Sequence, residues 1–178
     1  LRKRSNVWSF VLILICIGLA AYSLYSHINN TWLLAPPSYI LLLMSMAAFI
    51  LGIYGFKDKR NWRTKTRSWL TVVLSLLTAA GLFVVVVFTY VFFHSANDHI
   101  RTVRSPDNGY TIDFYRWDAG AAGTFGVRGE LDGPLWFKKR IYYERRTDNV
   151  EIDWISDSEV SVNHHILNVS EGDTYGYQ

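Results

Sequence analysis

Cysteine is nearly missing from this sequence: 178 residues carry a single one, Cys16. One thiol cannot close a disulfide within the chain or build a thiolate zinc site, and inside an apolar run it behaves as a small hydrophobe. Any folded part must therefore hold together by packing and strand pairing. Acidic residues are as scarce at the start, where Asp58 is the only carboxylate before Asp98. Three long apolar runs lack Asp, Glu, Lys, Arg and His altogether. Ion pathways, proton relays and voltage sensors need such groups at membrane depth, which argues against a pump or coupled transporter acting alone. Internal repeats are missing too. The charged part has room for about two propeller blades, where at least ~4 are needed.

The charge that is present divides unevenly. Leu1 to Phe93 holds half of the eighteen Lys and Arg but one of the fifteen Asp and Glu, and so carries +8. His94 to Gln178 holds the rest and carries −5. A basic chain invites a nucleic-acid reading, but these cations flank apolar runs, where membrane topology accounts for them. No nucleic-acid partner is expected.

The apolar runs extend over about residues 7–25, 37–56 and 69–93. Each is long enough to cross roughly 30 Å of hydrocarbon at ~1.5 Å per residue. Pro36-Pro37 suits the entry of the second helix, and the third run is long enough to span with tilt. Trp8, Tyr25, Trp32, Tyr39, Tyr54, Trp62, Trp69 and Tyr90 fall where an interfacial aromatic belt would lie. Arg2-Lys3-Arg4 precedes the first run, and Lys57, Lys59, Arg60, Arg63, Lys65 and Arg67 lie between the second and third. His27 to Ala35, between the first two, has neither Lys nor Arg. The positive-inside rule then places the N-terminus and the basic loop in the cytoplasm and the C-terminal part outside. Gly18-Leu19-Ala20-Ala21 has the small-x-small form of a signal cleavage site, but apolarity continues to Tyr25, so an uncleaved first span is expected. Cleavage would leave the other two spans oriented as before. Small-residue stripes, Thr71, Ser75 and Ala79 on one run and Ala48 and Gly52 on another, are expected to pack the helices together.

After a polar exit over His94–Asp98 the pattern changes to period two. Ile100–Arg104 reads as a strand, and Ser105-Pro106-Asp107-Asn108-Gly109 as a turn, because Pro fixes φ while Asn and Gly tolerate positive φ. Tyr110–Tyr115 alternates with Tyr110, Ile112 and Phe114 on one face. Asp118–Gly123 is a small-residue loop, Thr124–Leu131 a strand, and Asp132-Gly133-Pro134 its end. Leu135–Arg145 reads as a long strand, Val150–Ile155 as one with Val150, Ile152 and Trp154 inward, and Glu159–Val162 with Ile166–Val169 as a hairpin around Asn163-His164. The expected fold class is thus membrane α-helical, with three transmembrane helices over residues 1–93. A C-terminal all-β, mostly antiparallel extracytoplasmic domain follows over residues 94–178.

Three stretches carry a family likeness: Ser105-Pro106-Asp107-Asn108-Gly109-Tyr110, then Phe125-Gly126-Val127-Arg128-Gly129-Glu130-Leu131-Asp132-Gly133-Pro134-Leu135-Trp136, then Ile141-Tyr142-Tyr143-Glu144. In these the chain resembles an uncharacterised family of small membrane proteins from Gram-positive spore-forming bacteria, classed as a domain of unknown function. The run from Gly129 to Trp136 is the specific part. The chain has Asp-Asn-Gly-Tyr where that family is expected to have Asp-Gly-Lys-Tyr, a change that bears on the turn type. The resemblance implies a bacterial plasma membrane and brings no activity, cofactor or catalytic residue with it.

Constellations that carry chemistry elsewhere have plainer explanations here. His164 and His165 are adjacent, so on a strand they point to opposite faces and cannot share a metal ion without a turn between them; a tight turn is expected there, which leaves a metal role open but poor. His94 and His99 stand at the membrane exit. Glu151 and Asp153 occupy the solvated side of a strand. Asp107, Asn108 and Asp118 lack the full calcium ligand series. Ser156, Ser158 and Ser161 lack nucleophile-elbow glycines. Gly120, Gly123, Gly126 and Gly129 have no following helix to make a phosphate-binding turn and are expected to permit bends or bulges. No catalytic, cofactor-binding or metal-ligating residue is therefore expected, and no cofactor.

The remaining candidate is a surface. Alternation from Leu135 places Leu135, Phe137, Ile141 and Tyr143 on one side and Trp136, Lys138, Arg140, Tyr142 and Glu144 on the other. The second side is a basic, aromatic stripe in an acidic domain, and Arg, Trp and Tyr are enriched at the energetic centres of interfaces. Trp136, Lys138, Arg140 and Tyr142 are the candidate docking face, for a protein partner or an anionic envelope component. The expected function is that of a bilayer-anchored extracytoplasmic binding module: a sensor, accessory subunit or immunity-type factor. A structural or assembly role in the membrane is the alternative, and a cell-envelope enzyme a more distant one.

Overall fold

A computed structural model describes residues 2–56, 62–90, 97–120 and 123–177. The start of the basic loop (57–61), the end of the third apolar run (91–93), the exit at 94–96 and the middle of the small-residue loop (121–122) lie outside the described residues. The chain forms two compact units. One comprises Leu1–Tyr25 with Ala35–Thr89, the other Ser26–Leu34 with Tyr90–Gln178.

Among the described residues the first unit is helical: α1 (Arg2–Asn29), whose last four residues belong to the second unit, α2 (Ser38–Gly55) and α3 (Trp62–Phe88). All three helices are long and apolar enough to cross a membrane. Asn30 ends α1 at φ 51, a left-handed conformation that asparagine tolerates. Pro37 opens α2, its carbonyl accepting from the Ile40 and Leu41 amides at 2.9 and 3.3 Å. α3 begins earlier than its apolar run, so Arg63, Lys65 and Arg67 stand on its first turns.

The small-residue stripes meet where α2 packs on α3. A Cβ on Gly52 would come within 3.0 Å of the Thr71 methyl and 3.1 Å of a Val72 methyl, and Ala48, Ser45, Thr71 and Ser75 are all buried. Their hydroxyls cost nothing there, because each donates within its own helix: Ser45 to Leu42 O at 2.8 Å, Thr71 to Arg67 O at 2.9 Å and Ser75 to Thr71 O at 2.6 Å. α1 joins through Cys16, whose Sγ donates to Leu41 O at 3.3 Å, and through the Asn6 amide, which donates to Thr64 O at 3.2 Å and to the Ser68 hydroxyl.

Among the described residues the second unit holds seven strands in two antiparallel meanders. β1 (Asn97–Arg104), β2 (Thr111–Asp118), β3 (Phe125–Asp132) and β4 (Lys138–Arg145) form one sheet in sequence order. β5 (Ile152–Trp154), β6 (Glu159–Val162) and β7 (His165–Asn168) form the other. A single core joins them: Ile112, Phe114, Val127, Leu131, Ile141 and Tyr142 from the first, Val160, Val162 and Leu167 from the second, with Val150, Ile152 and Trp154 packed at its margin. The turns use the residues their backbones demand. Asp107 accepts from the Gly109 amide at 2.9 Å with Asn108 at φ 59, and Asn163 and His164, at φ 44 and 70, make the two-residue β6–β7 connection. Gly129 lies flat beneath Phe114 and Tyr142: a Cβ there would meet the Phe114 ring at 2.9 Å.

The region around β4 departs from the alternation read in the sequence. The strand begins at Lys138, not Leu135, because Leu135 and Trp136 form the turn after β3 and are exposed. An irregularity between Gly129 and Glu130 then shifts the register: Glu130 faces Arg140, Gly129 faces Tyr142, and Ile141 is the unmatched residue between. The extra residue turns both Ile141 and Tyr142 into the core, where each is fully buried. Tyr142 therefore leaves the expected docking face.

Candidate functional site

β4 is the last strand of its sheet, and its outer edge would otherwise offer unpaired amides and carbonyls. Two short segments cover it. Leu33 donates its amide to Lys138 O at 2.8 Å, which brings Ser26–Leu34, the last turn of α1 and the chain that follows it, onto the start of the strand. From the C-terminal side Tyr175 donates to Ile141 O and accepts from the Tyr143 amide, both at 2.9 Å. The first attachment is reinforced beyond the backbone. The Trp136 indole N–H donates to Leu34 O at 3.1 Å, and the Trp32 ring lies against Gly133, where a Cβ would meet it at 2.8 Å.

Between the two covering segments a cleft of about 350 Å³ remains, lined by Asn29, Asn30, Thr31, Trp32, Lys139, Gly172, Thr174 and Tyr177. That volume is at the small end of the range typical of small-molecule sites, about 300–1,000 Å³. Lys139 is its charged member. The ammonium donates to Gly172 O at 2.6 Å, and a lysine has three N–H donors, so two remain for a ligand. Among the described residues Lys139 makes no ion pair. Partial burial pushes its pKa below the usual lysine value, and the charge of Asp173 offsets part of that. The Tyr177 hydroxyl donates to Tyr142 O at 3.2 Å, and burial raises its pKa.

Lys138 and Arg140, the cations of β4 on either side of Lys139, are already matched. Lys138 reaches Asp113 at 3.0 Å and Asp132 at 3.1 Å. Burial works against its charge, but the two carboxylates outweigh that and raise its pKa. On Asp113 burial is likewise outweighed, by hydrogen bonds from Thr102, Lys138 and Tyr115, and its pKa falls. Arg128 and Arg140 share Glu130, at 3.0 and 3.9 Å.

The four residues expected to form a docking face are therefore divided. Trp136 is in the β3–β4 turn. Lys138 and Arg140 come together beside a hollow of about 70 Å³ with Ser26, His27, Asn30 and Thr31, their charges spent on acids of the same sheet. Tyr142 is inside, its hydroxyl donating to Glu144 and its pKa raised first by burial and then by that hydrogen bond. His164 occupies the turn, while the His165 ring stacks on Tyr175 with centroids 3.7 Å apart.

Sequence reasoning did not find the cleft. Lys139 was legible only as a charge interrupting an inward face, and Trp32 only as a member of the aromatic belt. The available signal was the polar, cation-free stretch from Asn29 to Thr31, which the loop reading left without a role. A family of unknown function, DUF5412, has a model that matches residues 63–178, the span of α3 and all seven strands but not the Asn29–Trp32 side of the cleft. No curated protein and no solved structure matches the chain.

Proposed function

The chain belongs to this family of unknown function, and from its own geometry we propose that it is a membrane-anchored binding module of a bacterial cell envelope, with the sheet unit outside the cytoplasm. The observation that carries this reading is the attachment of Ser26–Leu34 to the edge of β4. Hydrogen bonds of about 3 Å cannot reach across roughly 30 Å of hydrocarbon. The stretch between α1 and α2 and the domain after α3 must share one side, as three successive crossings require. That shared side carries the loop free of Lys and Arg, which the positive-inside rule assigns to the exterior. Leu43, Leu77 and Val84, each exposed by more than half, support a lipid surrounding for α2 and α3.

The ligand class follows from the cleft. An ammonium with two donors to spare and, among the described residues, no ion pair, set among amides, hydroxyls and an indole, suits a small polar anion bearing a carboxylate or phosphate. A molecule seated there touches the segment that joins the first two helices as well as the sheet. Occupancy can thus be felt by the membrane part, which fits a sensor or accessory role. A second reading, assembly with another helix in the membrane, has one observation in its favour: an apolar groove of about 540 Å³ on α2 and α3, lined by Leu42, Met46, Phe49, Ile50, Leu76, Ala79, Ala80 and Phe83.

Thermal unfolding of the full chain in detergent, with and without inorganic phosphate, citrate and glucuronate, tests the binding reading. A ligand at a hundred times its Kd stabilises by about 2.7 kcal/mol. The expected result is a rise in unfolding temperature with at least one of these anions, lost in Lys139→Gln. An equal rise in the variant, or none with any anion, contradicts the assignment.

A further inference from the structure

We propose that the β3–β4 turn, Gly133 to Trp136, is a membrane-surface anchor whose Leu135 and Trp136 side chains insert at the headgroup–acyl boundary of a bilayer. The inference rests on the reading above that α2 crosses the membrane.

Leu135 is 83% exposed and has φ 63. A leucine is strained in that left-handed conformation and a glycine is not, so folding alone gives no reason for a large apolar side chain here. No burial within the unit offsets the strain. Among the described residues from Asn97 onward, the other exposed large apolar side chains, Ile100, Phe125, Trp136, Ile155 and Ile166, have ordinary backbones, so Leu135 is the one that combines both departures. The compensation must come from outside the fold.

Trp136 supplies the second half. It is 41% exposed, yet its one polar atom is satisfied by Leu34 O at 3.1 Å, and its ring meets Phe137 edge to face with centroids 5.9 Å apart. The ring is thus held in place with no donor left to desolvate, the state in which an indole suits a lipid interface. Leu34 is itself 45% exposed and precedes the first residue of α2, Ser38, by four positions. Four peptide steps of ~3.8 Å allow no more than about 15 Å between Leu34 and the start of that helix. Of the charges that flank the turn, Lys138 is held by Asp132 at 3.1 Å and by Asp113 at 3.0 Å, so no unpaired cation is carried toward the headgroup layer. A soluble protein partner has no comparable argument from position, because the turn is tied by Leu34 to the chain just before a span.

The test uses the full chain carrying Cys16→Ser, reconstituted in phosphatidylcholine vesicles, with an environment-sensitive thiol probe placed singly at Leu135→Cys, Ile166→Cys or Leu43→Cys. Trp136→Cys is the second site for the turn, should the Leu135 variant not fold. Lipids bearing a nitroxide near the glycerol or near the chain end report depth, and aqueous iodide reports exposure. The expected result is that the turn probe is quenched several-fold more by the shallow nitroxide than by the deep one. Iodide should quench it several-fold less than the Ile166 probe. Iodide quenching equal to that at Ile166, with the Leu43 probe still quenched by lipid, overturns the anchor and leaves the membrane reading standing. Loss of lipid quenching at Leu43 as well overturns both.

Discussion

Replacing Lys138 with methionine keeps most of the stem and removes the charge that two carboxylates share. Asp113 lies 3.0 Å from the ammonium and Asp132 3.1 Å, with side-chain exposures of 36% for the lysine, 14% for Asp113 and 33% for Asp132. An exposed pair is worth about 0.2–1 kcal/mol, while stranding a buried partner costs about 3–5 kcal/mol. This site lies between, because Asp113 is well covered but water reaches the lysine and screens it. A loss of about 1–2 kcal/mol at pH 7 is expected. The pH dependence is more diagnostic than the size. Asp113 has a depressed pKa, so its contribution is complete above the ordinary aspartate value of about 3.9 and disappears as pH falls through the lower folded value. Lys138 has a raised pKa, so its contribution is complete below the ordinary lysine value of about 10.4 and disappears as pH rises through the higher folded one. Urea unfolding of the full chain in detergent, followed by near-ultraviolet dichroism, should show the Lys138→Met deficit at pH 7 and much less of it once Asp113 is protonated in acid. A deficit of the same size at both pH values would mean that lost packing, not charge, accounts for it.

Two further outcomes follow from the core and the close approaches. Phe114→Ala, which empties a fully buried site against Tyr142, is expected to cost about 3–5 kcal/mol by the same urea assay, and Trp154→Ala less, because Trp154 packs at the margin of the core. Gly126→Ala should destabilise the sheet strongly, because its new Cβ would overlap the Glu144 carbonyl oxygen. Gly81→Ala, with nothing within 4 Å, should leave the unfolding midpoint unchanged.

The helices were legible because an unbroken apolar run has few other solutions in a chain of this composition. Only their ends moved, as at Trp62, where Arg63, Lys65 and Arg67 continue the helix. Ile112 and Phe114 were legible for a similar reason: β2 carries no extra residue in either pairing, the one irregularity falling on β1 between His99 and Arg101, so period two holds along it. Around β4 it fails, because β4 carries an extra residue, Ile141, that has no partner on β3. That mismatch shows only when β4 is paired with Gly129 and Glu130 of β3, and no alternation count along one strand can register it. The cleft was hidden by distance. Trp32, Lys139 and Tyr177 come from the loop before α2, the edge strand and the C-terminal tail, and what unites them is hydrogen bonding to a shared edge.

Side-specific thiol labelling in intact cells tests most directly whether Ser26–Leu34 and the sheet unit share the outer face. In a Cys16→Ser background, single cysteines at Thr31, Asp157 and Lys65 would be exposed to a membrane-impermeant maleimide before and after permeabilisation. Labelling of Thr31→Cys and Asp157→Cys in intact cells, with Lys65→Cys reacting only after permeabilisation, is the expected result. Labelling of Thr31→Cys and Asp157→Cys from opposite sides would contradict the shared face, and labelling of both only after permeabilisation would contradict the orientation.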